Sequence, residues 1–289
     1  MGSERLDRKR IYTRMKYKLI AVDMDGTLLN DRSELTERNK EAILKAMEAG
    51  VLFVVATGRP LSNTWQVNEL FADDIPFIVL NGAAAYMSKS KKQLIEIYLD
   101  FDDAKEIFDI GQKIDIPQIV YSGPLMFTNK ECERTLTYHK NSHGPPLKTI
   151  NDLADIKDEV KGISKVLWID DPARIKDLSV EMKAHFGTRL QCLSSLTHFL
   201  EFINNDAGKG QALAEIGKLY DIDNSEMIAV GDSYNDICML EYAGFSVAVE
   251  NAPDEVKSIC DYVTLSNNDD GVAEVIDKLL LWNSLHEAE

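Results

Sequence analysis

The 289-residue sequence lacks any apolar run long enough to cross a lipid bilayer. Its longest apolar runs, 51–56 and 75–80, are far shorter than the roughly 20 residues that a spanning helix needs. Basic residues are scarce as well: 32 Lys and Arg stand against 48 Asp and Glu, a formal net charge of −16. Because nucleic acids and anionic membranes bind basic surfaces, this balance disfavours both as partners.

Cysteine is also scarce, and the four cysteines follow no metal-binding or redox spacing. This usage predicts reduced thiols and a cytoplasmic location. The five histidines show no ligand spacing either, so none is assigned to chemistry. The basic segment at the N-terminus lacks the apolar core and cleavage site of a signal peptide. We therefore predict that residues 1–14 form a flexible extension.

What the sequence does contain is an alternation of apolar strands and amphipathic helices, typical of a parallel sheet flanked by helices. Segments 17–22, 52–56 and 77–80 have the composition of buried strands, and Thr36 is a candidate N-cap for a helix that ends at Gly50. The sequence therefore predicts an α/β fold with a Rossmann-like, mainly parallel sheet.

The alternation changes after residue 83. Segments 83–87 and 93–99 flank a polar turn and predict a β-hairpin, which further short strands and helices follow. Buried strands return at residue 199. The sequence thus predicts two domains, and Lys165–Ile169 should not share a sheet with the first strand. The predicted core domain comprises residues 15–83 and 199–289, and the predicted inserted α/β cap domain comprises residues 84–198.

The run Asp23-Met24-Asp25-Gly26-Thr27 comes directly after the first predicted strand. Two carboxylates two residues apart leave an extended strand on the same side, and Gly26 allows a sharp turn. One carboxylate can then act as a nucleophile and the other as a proton donor, a division that suits phosphoryl transfer through an aspartyl-phosphate. The alternative is a polar loop without chemistry.

Polar side chains follow four predicted buried strands. Asp23, Thr57, Asn81 and Asp232 each occupy such a position. Ligands of open α/β sheets bind at the carboxyl edge of the strands. These residues are therefore expected to converge on one crevice.

Two segments in this sequence suit a bound anion. Thr57-Gly58-Arg59 offers a hydroxyl and backbone N–H groups before a helix, although Thr57 could simply cap a turn. Gly208-Lys209-Gly210 places a lysine at a helix N-terminus, where it can deliver a charge to a phosphate. The alternative for Lys209 is an exposed surface position.

A third segment, 231–236, suits a metal ion. Asp232, Asn235 and Asp236 supply side-chain oxygens at a strand end and on the first helical turn. Mg²⁺ prefers such oxygen ligands and keeps several waters. The alternative reading is that Asp232 is only an N-cap.

The four segments 23–27, 56–59, 208–210 and 231–236 resemble, in sequence and order, the four motifs of the haloacid dehalogenase superfamily. The resemblance is closest to the Cof-type phosphatases, which carry a large α/β cap between the second and third motifs. It covers nearly the whole chain from Tyr17 and is weakest in the cap. It implies Mg²⁺-dependent hydrolysis of a small phosphorylated metabolite, such as a sugar phosphate, through an aspartyl-phosphate.

The resemblance also implies roles for individual residues. Asp23 would be the nucleophile and Asp25 the general acid/base. Mg²⁺ would bind the carboxylates of Asp23 and Asp232 and the main-chain carbonyl of Asp25. The implied phosphate-binding residues are Met24 (through its N–H), Thr57, Gly58, Lys209 and Asn235. The implied supporting residues are Asn81, Gly82 and Asp236.

Two segments depart from the pattern of the family, although neither loses a catalytic group. Residues 206–210 read Asp-Ala-Gly-Lys-Gly where Gly-Val-Ser-Lys-Gly is common, and Glu250 replaces a glycine before Asn251-Ala252. The added acid at 250 could alter substrate choice or metal affinity.

Two rival functions stay open: a phosphomutase on the same scaffold, and a non-catalytic protein that binds a phosphometabolite and acts as a regulator. Dehalogenation is disfavoured because it needs neither Asp25 nor a metal. The sequence indicates neither the physiological substrate, nor the cap residues that select it, nor an oligomeric state.

Overall fold

The computed structural model describes residues 16–287 except 70 and 195, so the prediction for residues 1–14 lies outside the described residues. None of the described helices is long and apolar enough to span a membrane. The strands, numbered along the chain, are β1 (Leu19–Asp23), β2 (Leu52–Ala56), β3 (Pro76–Val79), β4 (Ala84–Met87), β5 (Gln93–Glu96), β6 (Gln118–Ser122), β7 (Leu125–Thr128), β8 (Leu147–Thr149), β9 (Lys165–Ile169), β10 (Leu190–Leu193), β11 (Phe199–Asn204), β12 (Met227–Gly231), β13 (Phe245–Ala248) and β14 (Tyr262–Val263).

The helices flank these strands. Thr36 is the N-cap of the first helix and accepts a hydrogen bond from the N–H of Asn39, as the sequence predicts. The helices are α1 (Glu37–Glu48), α2 (Trp65–Asn68), α3 (Phe101–Lys113), α4 (Glu133–Ser142), α5 (Pro172–Phe186), α6 (Lys209–Tyr220), α7 (Ile237–Tyr242), α8 (Asp254–Lys257) and α9 (Gly271–Glu287).

The first sheet has eight strands in the order β14-β13-β12-β1-β2-β3-β4-β5. The six strands from β14 to β3 are parallel, whereas β4 and β5 are antiparallel to their neighbours. β1 lies between β12 and β2 and is buried along its whole length, because helices cover both faces of such a sheet. The predicted α/β fold with a mainly parallel sheet is confirmed.

The second sheet has the order β10-β11-β9-β6-β7-β8 and is mostly antiparallel. Strand β9 shows how its two faces differ. Val166 and Trp168 pack in a cluster with α3 and α5, whereas Leu167 and Ile169 pack with the core of the first sheet. Successive side chains of a strand point to opposite faces, so Lys165 shares the face of Leu167 and Ile169.

Two segments lie in a different sheet from the other strands of the domain to which the sequence assigns them. The sequence predicts that the hairpin after Gly82 belongs to the cap, but β4 and β5 extend the first sheet. Positive φ angles at Leu80, Asn81 and Gly82 reverse the chain beside β3. Strand β11 was assigned to the core, but it pairs with β9 and β10. Apolar composition marks a buried strand without specifying its sheet. The division into core and inserted cap remains a proposal, with the insertion lying between about residues 97 and 204 on this pairing.

Candidate active site

Asp23 lies buried at the carboxyl end of β1, where the chain turns out of the first sheet. The turn depends on Gly26, whose φ is +78°. A Cβ at Gly26 would lie 2.6 Å from Oδ2 of Asp232, so a larger residue would collide with that carboxylate. The glycine thus lets the loop that follows β1 approach the loop that follows β12.

Lys209, the first residue of α6, is fully buried beside Asp23. Its ammonium donates to Oδ1 of Asp23 at 2.5 Å and to Oδ1 of Asp236 at 2.6 Å. Burial acts to lower the pKa of Lys209, but the two carboxylates outweigh it and the net shift is upward. Lys209 is therefore a charged group inside the site and not an exposed surface lysine.

Asp236 fixes the loop that carries Asp232. Its Oδ2 accepts the main-chain N–H groups of Asp232 (3.1 Å) and Ser233 (3.0 Å), while its Oδ1 accepts from Lys209. Oδ1 of Asp232 accepts the hydroxyl of Thr27 at 2.9 Å. Because both oxygens of Asp236 are engaged, Asp236 supports the site and leaves Asp23 and Asp232 as its better metal ligands.

The charges of this cluster suit a divalent cation. One oxygen from each of Asp23, Asp232 and Asp236 lies within 4.8 Å of the others. Burial, followed by the charge of Asp236, raises the pKa of both Asp23 and Asp232. Three carboxylates beside the single ammonium of Lys209 leave an excess of negative charge, which Mg²⁺ would balance with ligands of the kind it prefers.

Two asparagines connect the remaining loops. Nδ2 of Asn235 donates to Oδ1 of Asn81 at 3.0 Å, and Nδ2 of Asn81 donates to Oε2 of Glu201 at 2.6 Å. A Cβ at Gly58 would lie 2.7 Å from Oδ1 of Asn81. A Cβ at Gly82 would lie only 2.1 Å from the carbonyl carbon of the residue before Lys209. Both glycines therefore permit close approaches between loops of the site.

Thr57 and Arg59 flank Gly58 at the end of β2. The hydroxyl of Thr57 accepts the N–H of Arg59 at 3.1 Å, so this threonine does brace its turn. Arg59 donates through Nε to Oδ2 of Asp25 at 2.7 Å, and through Nη2 to Oδ1 of the same carboxylate. The sequence placed Arg59 in an anion-binding loop but did not indicate this two-pronged contact, because the partners are far apart in the chain.

The two departures from the family pattern lie mostly outside the site. Asp206 and Glu250 are both exposed. Asn251, next to Glu250, donates through Nδ2 to the main-chain oxygen of Gly26 at 2.7 Å. Its role is to hold the turn after β1.

A cavity of about 680 Å³ lies between the site and residues of the second sheet. Several predicted site residues line it: Asp23, Asp25, Thr57, Gly58, Asp232 and Asn235. The other predicted site residues are buried outside this lining: Met24, Asn81, Gly82, Lys209 and Asp236. The structure therefore brings the predicted residues together at the carboxyl edge of the first sheet.

The sequence did not indicate two further charged residues of the cavity, Lys165 and Glu201. They come from β9 and β11, are buried, and form an ion pair of 3.2 Å. Nζ of Lys165 also donates to the main-chain oxygen of Gly58 at 3.3 Å. The available signal was one charged residue in each of two mainly apolar strands, on the strand face that packs toward the core of the first sheet.

With this geometry in place, comparison with known proteins identifies the family. The family model of haloacid dehalogenase-like hydrolases matches residues 20–276. The chain therefore belongs to the haloacid dehalogenase-like hydrolases. It is 34% identical to YwtE of Bacillus subtilis (strain 168), named 5-amino-6-(5-phospho-D-ribitylamino)uracil phosphatase, over 91% of this chain and 98% of YwtE. YbjI of Escherichia coli (strain K12), which has the same enzyme name, is 29% identical over 92% of this chain and 97% of YbjI.

Solved structures give the same result. TM0651 of Thermotoga maritima superimposes with a TM-score of 0.79 at 30% identity, over 91% of this chain and 97% of TM0651. A haloacid dehalogenase-like hydrolase of B. subtilis superimposes with a TM-score of 0.78 at 27% identity, over 90% of this chain and 99% of that protein. The comparisons confirm the predicted family, the fold and the enzyme class, phosphoric monoester hydrolase.

Proposed function

We propose that this hydrolase removes the phosphoryl group from small phosphate monoesters, with Asp23 as nucleophile and Mg²⁺ as cofactor. The observation that carries the proposal is the position of Asp23. Its carboxylate is held by Lys209, lines the cavity and lies beside Asp232. Such a cluster can accept a phosphate dianion only if its negative charge is balanced, which the lysine and a divalent cation would do together.

Asp23 and Asp232 would hold the metal, with the main-chain carbonyl of Asp25 as a further ligand. When bound, Mg²⁺ would supply charge compensation for the phosphate and orient it. The N–H of Met24 and the nearby polar groups would bind the phosphate oxygens. These groups are those of Thr57, Gly58, Lys209 and Asn235.

In the proposed reaction, a carboxylate oxygen of Asp23 attacks phosphorus and forms an aspartyl-phosphate while the bond from phosphorus to the leaving oxygen breaks. Asp25, released from Arg59 and protonated before this step, gives its proton to that oxygen, which leaves as an alcohol. Water then attacks phosphorus and transfers a proton to Asp25, and the bond to Asp23 breaks. Inorganic phosphate leaves, and both aspartates return to their starting states.

Among candidate substrates, 5-amino-6-(5-phospho-D-ribitylamino)uracil has specific support, because YwtE and YbjI are named for it. Sugar phosphates are the wider class that the sequence predicts.

We also infer a cytoplasmic location. This inference agrees with the free thiols of the four cysteines, all of which lie within the described residues.

Hydrolysis of p-nitrophenyl phosphate tests the proposal. We expect turnover with Mg²⁺ and none in excess chelator, with recovery when Mg²⁺ is restored. Asp23→Asn should be inactive, whereas the control Asp254→Asn changes an exposed acid and should keep the wild-type rate. Full activity in chelator would contradict the metal assignment. A strict need for a bisphosphate activator would instead indicate a phosphomutase.

A further inference from the structure

The cavity beside Asp23 is larger than a phosphoryl group needs. Its volume of about 680 Å³ is typical of sites that enclose a whole small molecule. The lining contains both buried charged side chains and exposed apolar ones. Asp23, Lys165 and Glu201 are buried, whereas Trp65 and Leu196 are 40% and 53% exposed. A leaving group that fills the cavity would contact side chains of both kinds.

The buried part of the lining offers a donor and an acceptor side by side. The ammonium of Lys165 contacts the oxygen of Gly58 next to the proposed phosphate seat, and the carboxylate of Glu201 lies 3.2 Å from that ammonium. A hydroxyl group can accept from an ammonium and donate to a carboxylate at once. This pair therefore suits the hydroxyl groups of a chain that follows the phosphate.

The charges of the cavity favour an uncharged leaving group. Among the described lining residues, the permanent cations are Arg59 and Lys165, and each contacts a carboxylate, Asp25 or Glu201. The remaining basic lining residue is His143, whose Nδ1 contacts the main-chain oxygen of Asn141. Carboxylates therefore already balance the charge of both cations. A second phosphate on the substrate would lose its hydration in the cavity, and no unbalanced cation would compensate for that loss.

Four of the lining residues carry aromatic rings. Trp65 packs against His143 with ring centroids 5.6 Å apart, and Tyr138 packs edge-on against Phe199 at 5.4 Å. All four of these side chains line the same cavity. Exposed aromatic faces bind flat rings by stacking.

We propose that the substrate is the phosphate monoester of an uncharged, hydroxylated chain that ends in a flat ring. Lys165 and Glu201 bind the hydroxyl groups, and Trp65 contacts the ring. This inference rests on the proposed function of the same site and adds the class of leaving group together with the residues that select it.

The ring is tested by comparing kcat/KM for two ring-bearing ribityl phosphates, riboflavin 5′-phosphate and 5-amino-6-(5-phospho-D-ribitylamino)uracil, with kcat/KM for ribitol 5-phosphate. We expect at least one ring-bearing ester to exceed ribitol 5-phosphate by about tenfold, the scale of one aromatic contact. Trp65→Ala should remove most of that ratio, whereas Leu281→Ala, a change at an exposed leucine outside the cavity lining, should not. Equal values in the wild type, or equal loss for all esters in Trp65→Ala, would overturn the role of Trp65.

The hydroxyl contacts are tested with the double variant Lys165→Met/Glu201→Gln. Changing both residues avoids a buried unpaired charge, and the glutamine oxygen can still accept from Asn81. We expect the loss in kcat/KM for ribitol 5-phosphate to exceed the loss for p-nitrophenyl phosphate, which has no hydroxyl group, by about tenfold. An equal loss for both substrates would show that the pair is only structural.

Charge selection is tested with fructose 6-phosphate and fructose 1,6-bisphosphate. The bisphosphate should have the lower kcat/KM, and a preference for it would overturn the proposal of an uncharged leaving group.

These measurements distinguish failure of the inference from failure of the proposed function. If no ester is hydrolysed with Mg²⁺, the proposed function is wrong. If p-nitrophenyl phosphate is hydrolysed without the preferences above, only the inference is wrong.

Discussion

Two buried lysines each contact a carboxylate that lines the cavity, and the two contacts differ. Lys209 is the first residue of α6 and contacts two carboxylates, one of which belongs to the proposed nucleophile. Lys165 begins a strand of the second sheet and contacts one carboxylate and one main-chain oxygen. In the proposed mechanism, Lys209 contacts the group that reacts in every turnover, whereas Lys165 contacts the leaving group, which varies between substrates. The proposal thus separates the charge at the reaction centre from the charge that selects the substrate.

The largest effect is expected from Asp23→Asn, which removes the proposed nucleophile that Lys209 contacts. Turnover should fall by at least about 10⁴-fold for every substrate, the scale seen when a catalytic nucleophile is removed. Amide and carboxylate have nearly the same volume, so circular dichroism should show an unchanged fold. Substantial turnover by this variant would exclude Asp23 as the nucleophile.

Lys209→Met should rank second. It removes the cation between Asp23 and Asp236, so phosphate would approach an uncompensated acidic cluster. We expect kcat to fall by about 10²–10³-fold, and by a similar factor for p-nitrophenyl phosphate and for ribityl phosphates. A loss confined to one substrate would mean that Lys209 selects the leaving group, and the distinction between the two lysines would fail.

Lys165→Met should act mainly on stability. It leaves the buried carboxylate of Glu201 without its cation, which typically costs about 3 kcal/mol or more of unfolding free energy. Adding Glu201→Gln removes that charge and should recover most of the loss. Urea denaturation of the single and double variants measures this coupling. If the second substitution brings no recovery, the two side chains do not act as a pair.

The smallest effect concerns Asp232 in the metal-free protein. Its pKa is raised in the folded state, so its ionisation opposes folding: this contribution is favourable below the unfolded pKa and is lost as pH rises through the folded pKa. Asp232→Asn should therefore raise the Tm in chelator at pH 7 by a few degrees, on the scale of about 1 kcal/mol. The gain should shrink toward pH 4, and Mg²⁺ should stabilise the wild type more than the variant. A lower Tm for the variant in chelator would contradict this assignment.

Site residues at the edge of the first sheet could be predicted from the sequence, whereas those on the second sheet could not. Asp23, Lys209 and Asp232 were predicted because each lies in a short segment at a strand or helix end, where local sequence fixes both position and chemistry. Lys165 and Glu201 were missed because their place depends on which strands pair, and apolar strands such as β11 carry no signal for that choice. The contact between Arg59 and Asp25 likewise joins distant loops. The place of β11 depends on such long-range pairing, whereas the hairpin of β4 and β5 joins the first sheet through a local reversal at residues 80–82.

The most direct test of the account is to trap the phosphoryl group on the enzyme. Asp25→Asn keeps the proposed nucleophile, Asp23, but removes the proposed proton donor. The reaction should slow by about 10²–10⁴-fold, and the intermediate should accumulate with a good leaving group. Mass spectrometry of the variant, acid-quenched during turnover of p-nitrophenyl phosphate, should find about 80 Da, one phosphoryl group, on the peptide that contains Asp23. Phosphoryl on a serine or histidine instead would contradict the proposed mechanism.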